Sequence, residues 1–261
     1  MNFTFLLRFL FLLGLALGQA ELFAGNFRLS PVQVFLGDGS GSALITVYNE
    51  SDQPIRFQIT ASAWSQSESG EMLLEPTEDL LFFPKLLEIA PGAQRNVRVG
   101  STARAGESEK TYRLFFDELP PAPVPGEGAK VTVVTKMGVP VFITPRGASP
   151  DVEVEGTVSG GKVAIALENS GTSHVSLQGI LVTGVSAAGT ETFSRRLDGW
   201  YLLARSRRSY EVELNAEECS ATERITVEAG FTRPDQAEQG KENVTLMRAP
   251  GDSCSPPGST S

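Results

Sequence analysis

Few side chains in this 261-residue chain are of a type that does chemistry, and their spacing serves it poorly. His174 is the only histidine and sits in NSGTSHVSL, a turn leading into a strand. No G-x-S-x-G serine and no acidic residue at a useful offset accompanies it, so it reads as a solvated turn histidine rather than a general base. There is no H-E-x-x-H and no Cys/His cluster that would hold zinc. GDGSGS (37–42) has alternating glycines, but a phosphate loop needs a helix N-terminus after it, and ALITVY reads as a strand. It also lacks the carboxylates and terminal Glu of a calcium loop; a hairpin turn accounts for it. The neighbouring carboxylates Glu217-Glu218 and Glu78-Asp79 fall in predicted loops, where adjacent side chains point apart into solvent. A secreted hydrolase would require a nucleophile–base pair that is not found. The expectation is a binding protein, not an enzyme, with neither metal nor cofactor.

The two cysteines, Cys219 and Cys254, lie near the C-terminus. In an oxidising compartment two lone cysteines most simply pair with each other, closing a loop over the last strands and pinning the tail. The N-terminus predicts that compartment. MNFTFLLRFLFLLGLALGQA (1–20) has a positive Arg8, an apolar run Phe9–Leu17 and small residues at Gly18 and Ala20, the pattern of an export signal cleaved near Ala20. The rival reading is a retained membrane anchor, for which the run is short. Losing Arg8 takes the net charge from −9 to −10. Acidic groups are scattered and no basic run exists, which argues against nucleic acid as a partner.

The elements that must position any binding surface are short strands. Phe27–Leu36 alternates and GDGSGS turns the chain; Ala43–Tyr48 and Ile55–Trp64 follow around the turn Asn49–Asp52, with Ile55, Phe57, Ile59, Ala61 and Ala63 on one face. Residues 74–84 read as loop, then strands follow at 84–89, Arg95–Val99 and Tyr112–Leu119. PPAPVPGEGA (120–129) cannot be regular sheet. KVTVVTKMGVPVFITP (130–145) is β-branched and begins with strict alternation, yet contains Gly138 and Pro140. After 146 the same grammar repeats, with strand candidates at Val152–Val158, Lys162–Glu168, Val175–Val185, Glu191–Leu197, Tyr210–Leu214, Arg224–Phe231 and Val244–Arg248. The fold class is therefore all-β, two β-sandwiches in series: residues 21–146 as the first domain, 147–250 as the second, and 251–261 as a flexible tail.

Several stretches in order resemble the PapD-like periplasmic chaperones of the chaperone–usher pathway, which assemble pili. They are FRLSPVQVFL, ALITVYNESDQPIRFQITASAW, LLFFPKLLEIAPGAQRNVRV, YRLFFDELPP and GVPVFITP, spanning about residues 26–146. The second domain matches only weakly, at VAIALENSGTSHVSL. The resemblance implies two immunoglobulin-like domains angled around a cleft. It also implies a periplasmic chaperone that binds pilus (fimbrial) subunits by donor-strand complementation and delivers them to an outer-membrane usher, with no cofactor. Its seventh strand would be lent to the subunit; here the lending residues would be Val131, Val133, Thr135 and Met137. The same side chains could instead fill their own core, and since a strand has two faces both uses stay open.

One departure bears on the chemistry. Better-known members hold the subunit's C-terminal carboxylate with two basic cleft residues, and alignment puts those positions on Val32 and Pro140. Either the anchor has moved, with Lys136, Arg28 and Arg113 as the candidates and Lys136 first because it lies on the lending strand, or the subunit is held mainly by strand pairing. The departure suits a divergent branch such as the archaic-type pathway chaperones. Two further matters stay open: whether the free protein caps itself as a dimer, and the alternative of an immunoglobulin-like structural or adhesive surface protein with no client.

Overall fold

The computed structural model describes residues 27–37, 41–121, 132–234, 239–248 and Cys254. The expected export signal, most of the Pro-rich stretch, Val131 and the rest of the tail lie outside the described residues.

In chain order the strands of the first half are β1 (Phe27–Ser30), β2 (Val34–Gly37), β3 (Ser42–Asn49), β4 (Ile55–Gln66), β5 (Met72–Pro76), β6 (Leu80–Phe83), β7 (Leu86–Ile89), β8 (Gln94–Ser101), β9 (Lys110–Glu118) and β10 (Lys136–Thr144). They form two sheets, β1-β3-β8-β6 and β2-β10-β9-β4-β5, with β7 also pairing β4. The second half comprises β11 (Val152–Ser159), β12 (Lys162–Asn169), β13 (Val175–Val185), β14 (Glu191–Leu197), β15 (Tyr201–Leu202), β16 (Ser206–Glu213), the short helix α1 (Ala216–Ala221), β17 (Arg224–Thr232) and β18 (Gln239–Met247). These build the sheets β11-β12-β16 and β14-β13-β17-β18, with β15 beside β13.

Each pair of sheets closes on an apolar core, as period-two alternation requires. Ile55, Phe57 and Ile59 of β4 and Ile45 and Val47 of β3 enter the first core with Leu114, Phe116, Val139 and Val141. Val163, Ile165, Ile180, Val182, Val227 and Phe231 fill the second. Both sandwiches use a buried Asn at the end of a strand to tie down a corner. Asn49 Nδ2 donates to the carbonyls of Gln53 (2.7 Å) and Ile89 (3.0 Å), and Asn169 Nδ2 donates to those of Ser173 (2.8 Å) and Leu203 (3.1 Å).

Four expectations are corrected. The stretch read as one strand, Phe27–Leu36, is two strands in different sheets, parted at Pro31, which has no N–H to offer either ladder. Residues 74–84 are not loop but carry the end of β5 and β6; their apolar residues lie on both faces of exposed edge strands, so no alternation marks them. Glu217-Glu218 sits on α1 rather than in a loop, because Asn215 and Glu218 form a reciprocal capping box (Glu218 N to Asn215 Oδ1, 2.8 Å). Glu218 also pairs with Arg195, and Asp79 of the other carboxylate pair accepts from the Tyr112 hydroxyl (2.6 Å). His174, expected in solvent, is 1% exposed. Cys219 and Cys254 are joined as a disulfide, with Cα atoms 5.6 Å apart, and the bridge ties the tail to α1.

Candidate functional site

Strand β10 has two neighbours of unequal length. On one side it pairs antiparallel with β9 from Lys136↔Asp117 through Ile143↔Lys110, without a register break. On the other, β2 runs parallel to it only from Val141↔Val34 to Thr144↔Gly37. Ahead of the strand, Glu118 N–H donates to Thr135 O (2.9 Å) and Thr135 N–H to Glu118 Oε2 (3.1 Å). Antiparallel ladders alternate, so the backbone groups of Met137, Val139 and Val141 face β9 while those of Lys136, Gly138, Pro140 and Phe142 face the opposite edge. Among the described residues no strand covers that edge before Val141. Pro140 falls where the missing N–H has no ladder partner to lose.

Side chains divide by the same parity. Val139, Val141 and Ile143 fill the first core and Met137 packs half-buried against it. Two positions on from Met137 the same face leaves the domain: Thr135 is exposed, and Val133 is 86% exposed. Ahead of β10 the chain thus runs out into solvent, with Val134 also exposed beside Val133.

The other face of β10 meets the second sandwich. Phe142 is fully buried with Trp64 and Leu203, and Trp200 and Tyr201 pack against them. The His174 ring lies flat on Phe142, centroids 3.8 Å apart and 13° between planes. Glu109, just ahead of β9, receives His174: Nδ1 is 2.6 Å and the backbone N 3.2 Å from Oε1, while Thr144 Oγ1 at the end of β10 donates to Oε2 (2.8 Å). Gln66 adds a donated bond to Tyr201 O (2.8 Å) and accepts from Leu203 N (3.0 Å). The tip after β4 reaches further, with Ser209 N–H donating to Glu68 O (2.8 Å). Sequence reading missed this seam because its members lie in many separate strands and loops; the one local hint was the aromatic pair Trp200-Tyr201.

The three basic candidates fall in different settings. Arg28 is on β1 in the opposite sheet, paired with Glu50 (2.9 Å) and stacked on Tyr48, on the far side of the first core from β10. Lys136 is bound to Asp117 across the ladder (2.9 Å), its Nζ 4.5 Å from the Phe115 ring centre. Arg113 is directly opposite Pro140 in the β9–β10 register. Its guanidinium carbon is 4.0 Å from the Trp64 ring centre and 5.0 Å from that of Trp200. Desolvation holds its pKa below the ordinary value, partly countered by Tyr201. Nη1 donates to Gly138 O (3.4 Å), whereas Nε, Nη2 and the Trp64 Nε1 have no hydrogen-bond partner among the described residues. Val32 is 65% exposed just ahead of β2. No group of side chains suited to a metal ion occurs among the described residues.

Residues 26–149 match the family described as pili and flagellar-assembly chaperone, PapD N-terminal domain. No curated protein matches the chain in sequence. Among solved structures, the chain is similar to one from the CsuC–CsuE chaperone–tip adhesion subunit pre-assembly complex of the archaic chaperone–usher Csu pili of Acinetobacter baumannii. That match has TM-score 0.61 and 14% identity, covering 85% of this chain and 98% of that one. The CupB2 chaperone of Pseudomonas aeruginosa (TM-score 0.56, 13% identity, 84% and 100% covered) is similar too. So is a chain of the Salmonella enterica SafA pilin–SafB chaperone complex (0.54, 14%, 85% and 97%). At these identities the neighbours establish the two-domain immunoglobulin-like fold, and the family match identifies the first domain. Over residues 26–149 the first domain matches the PapD-like pilus-assembly chaperone family, and the second domain lies outside that match.

Proposed function

We propose that the chain is an exported, periplasmic, non-enzymatic chaperone that lends the start of β10 to pilus subunits and passes them to an outer-membrane usher. The observation that carries this reading is the uncovered edge of β10 before Val141, continued by the exposed Val133 and Thr135. An exposed apolar edge is a liability that proteins ordinarily blunt. Keeping one open makes sense when a partner strand is to be added, with main-chain bonds supplying affinity and alternate side chains specificity. The solved neighbours in complex with a tip adhesion subunit or a pilin support subunits as the client class. The lending residues are Val133, Thr135 and Met137, with Val131 ahead of them outside the described residues. The free edge is also the surface through which two copies would cap each other.

The carboxylate anchor in this reading is Arg113, not Lys136. The cation absent from Pro140 stands on the neighbouring strand in the paired position, half caged by aromatic rings, with unpaired N–H groups and no carboxylate in salt-bridge range among the described residues. Lys136 already has Asp117 and Arg28 already has Glu50. A charge-assisted bond there contributes about 1.5–3 kcal/mol, roughly 10- to 150-fold in affinity.

The test is co-expression of the mature chain with a strand-deficient pilus subunit. Val133→Asp should abolish the complex. Arg113→Ala should weaken it by the factor above, with Lys136→Ala nearly silent. A complex indifferent to Val133→Asp would refute strand lending, and one indifferent to Arg113→Ala would refute the anchor alone.

A further inference from the structure

We propose that Pro140 is a stop that fixes the register of the lent strand, so that a pilus-subunit strand pairs with residues up to Gly138 and no further. This rests on the strand-lending reading above and adds what sets the alignment. Side-chain parity cannot do so alone. A one-residue slip would turn every apolar side chain to the wrong face, but a two-residue slip restores the parity and keeps each apolar side chain facing the groove. Something on the backbone must exclude the second kind of slip.

The free edge ends abruptly for two coincident reasons. The groups of Lys136 and Gly138 point to the open edge, and the next in that series is Pro140, which has no N–H. One residue later β2 takes the edge, its first pair being Val34 with Val141. With an amide at 140, an incoming strand would find one more donor before meeting β2 and would slide two residues on. With proline there, that step gains no donor. The stop is level with Arg113, its ladder partner, so a client strand halted there brings its end beside a buried guanidinium with no carboxylate in salt-bridge range among the described residues.

The test is residue-resolved amide exchange on Pro140→Ala, with Pro140→Gly as a second variant should the first fail to fold. In the free protein the new amide at 140 should exchange at least about 100-fold faster than those of Val139 and Val141. A slow amide at 140 would place it on the β9 side and overturn the proposal without touching strand lending. In the complex of the unaltered mature chain with a strand-deficient pilus subunit, Lys136 and Gly138 should become protected. In the Pro140→Ala complex the amide at 140 should also become protected, and Met137 should give two sets of signals, one for each register. A single register with the amide at 140 still fast overturns the stop; unchanged exchange at Lys136 and Gly138 in the first complex overturns strand lending and the stop with it.

Discussion

Removing the Glu109 carboxyl should loosen the junction between the two sandwiches more than any other single polar change. Glu109 accepts from Thr144 Oγ1 and from the His174 backbone, and lies 2.6 Å from His174 Nδ1, with both side chains at most 2% exposed. Glu109→Ala leaves two His174 nitrogens unpaired where water is excluded, at about 1–3 kcal/mol each. Truncating one member of a buried pair costs about 3–5 kcal/mol, so that is the predicted loss. The assay is built in: both tryptophans of the chain, Trp64 and Trp200, pack on the seam, and their fluorescence during urea unfolding reports on it. The Glu109→Ala transition should move to lower urea, and Glu109→Gln, which keeps the volume and one acceptor, should move less. Combining Glu109→Ala with His174→Ala should cost well below the sum of the two, since either alone breaks the same contact. A loss under about 1 kcal/mol, or strict additivity, would refute the claim that this pair fastens the seam.

Alkaline pH should destabilise the chain through two tyrosines. Burial first, and the Asp79 hydrogen bond second, push the Tyr112 phenol well above its ordinary value; burial also raises Tyr210, with Arg208 countering. A raised folded pKa means stability that is complete below the unfolded tyrosine value of about 10 and lost as pH climbs beyond it. Phenolate absorbance should show these two ionising only together with unfolding, and Tyr112→Phe should still leave the Tyr210 step. Replacing Cys219 and Cys254 by serine opens a 35-residue separation and should lower stability by about 2–4 kcal/mol in thermal melts of the oxidised protein. An unchanged melting point would mean that the tail bond does not constrain unfolding.

The strand pattern was legible because alternation over Ile55–Ile59, Val163–Leu167 and Arg224–Phe231 is a local property of a sheet with one buried face. What stayed hidden was set by partners distant in sequence. His174 looked solvated because its neighbours in sequence are polar, yet Glu109 is 65 residues away and Phe142 comes from another strand. Arg113 sits in YRLFFDEL as the one basic residue; only the register with Pro140 shows that the two share a position on the sheet. Lys136 drew attention by being on the strand proposed to be lent, but strand pairing hands it to Asp117.

Among the described residues the sheet containing β10 has a second open edge, β5, and the contrast argues for which edge would receive the client proposed above. Met72, Leu73 and Leu74 are all exposed, so β5 offers apolar side chains on both faces and nothing that prefers one. An added strand there would have no buried face to fix its register. On β10 the exposed Val133 and Thr135 continue the row of Met137, Val139 and Val141, whose inner members are already rigid in the core. A strand lent from that row, as proposed, would arrive with its direction and parity preset, which would lower the ordering cost of association. Its regular free stretch is also short, bounded by Pro140 and then β2, which limits the edge exposed to indiscriminate pairing. Aspartate at Val133 should therefore impair subunit capture, whereas aspartate at Leu73 should leave it intact.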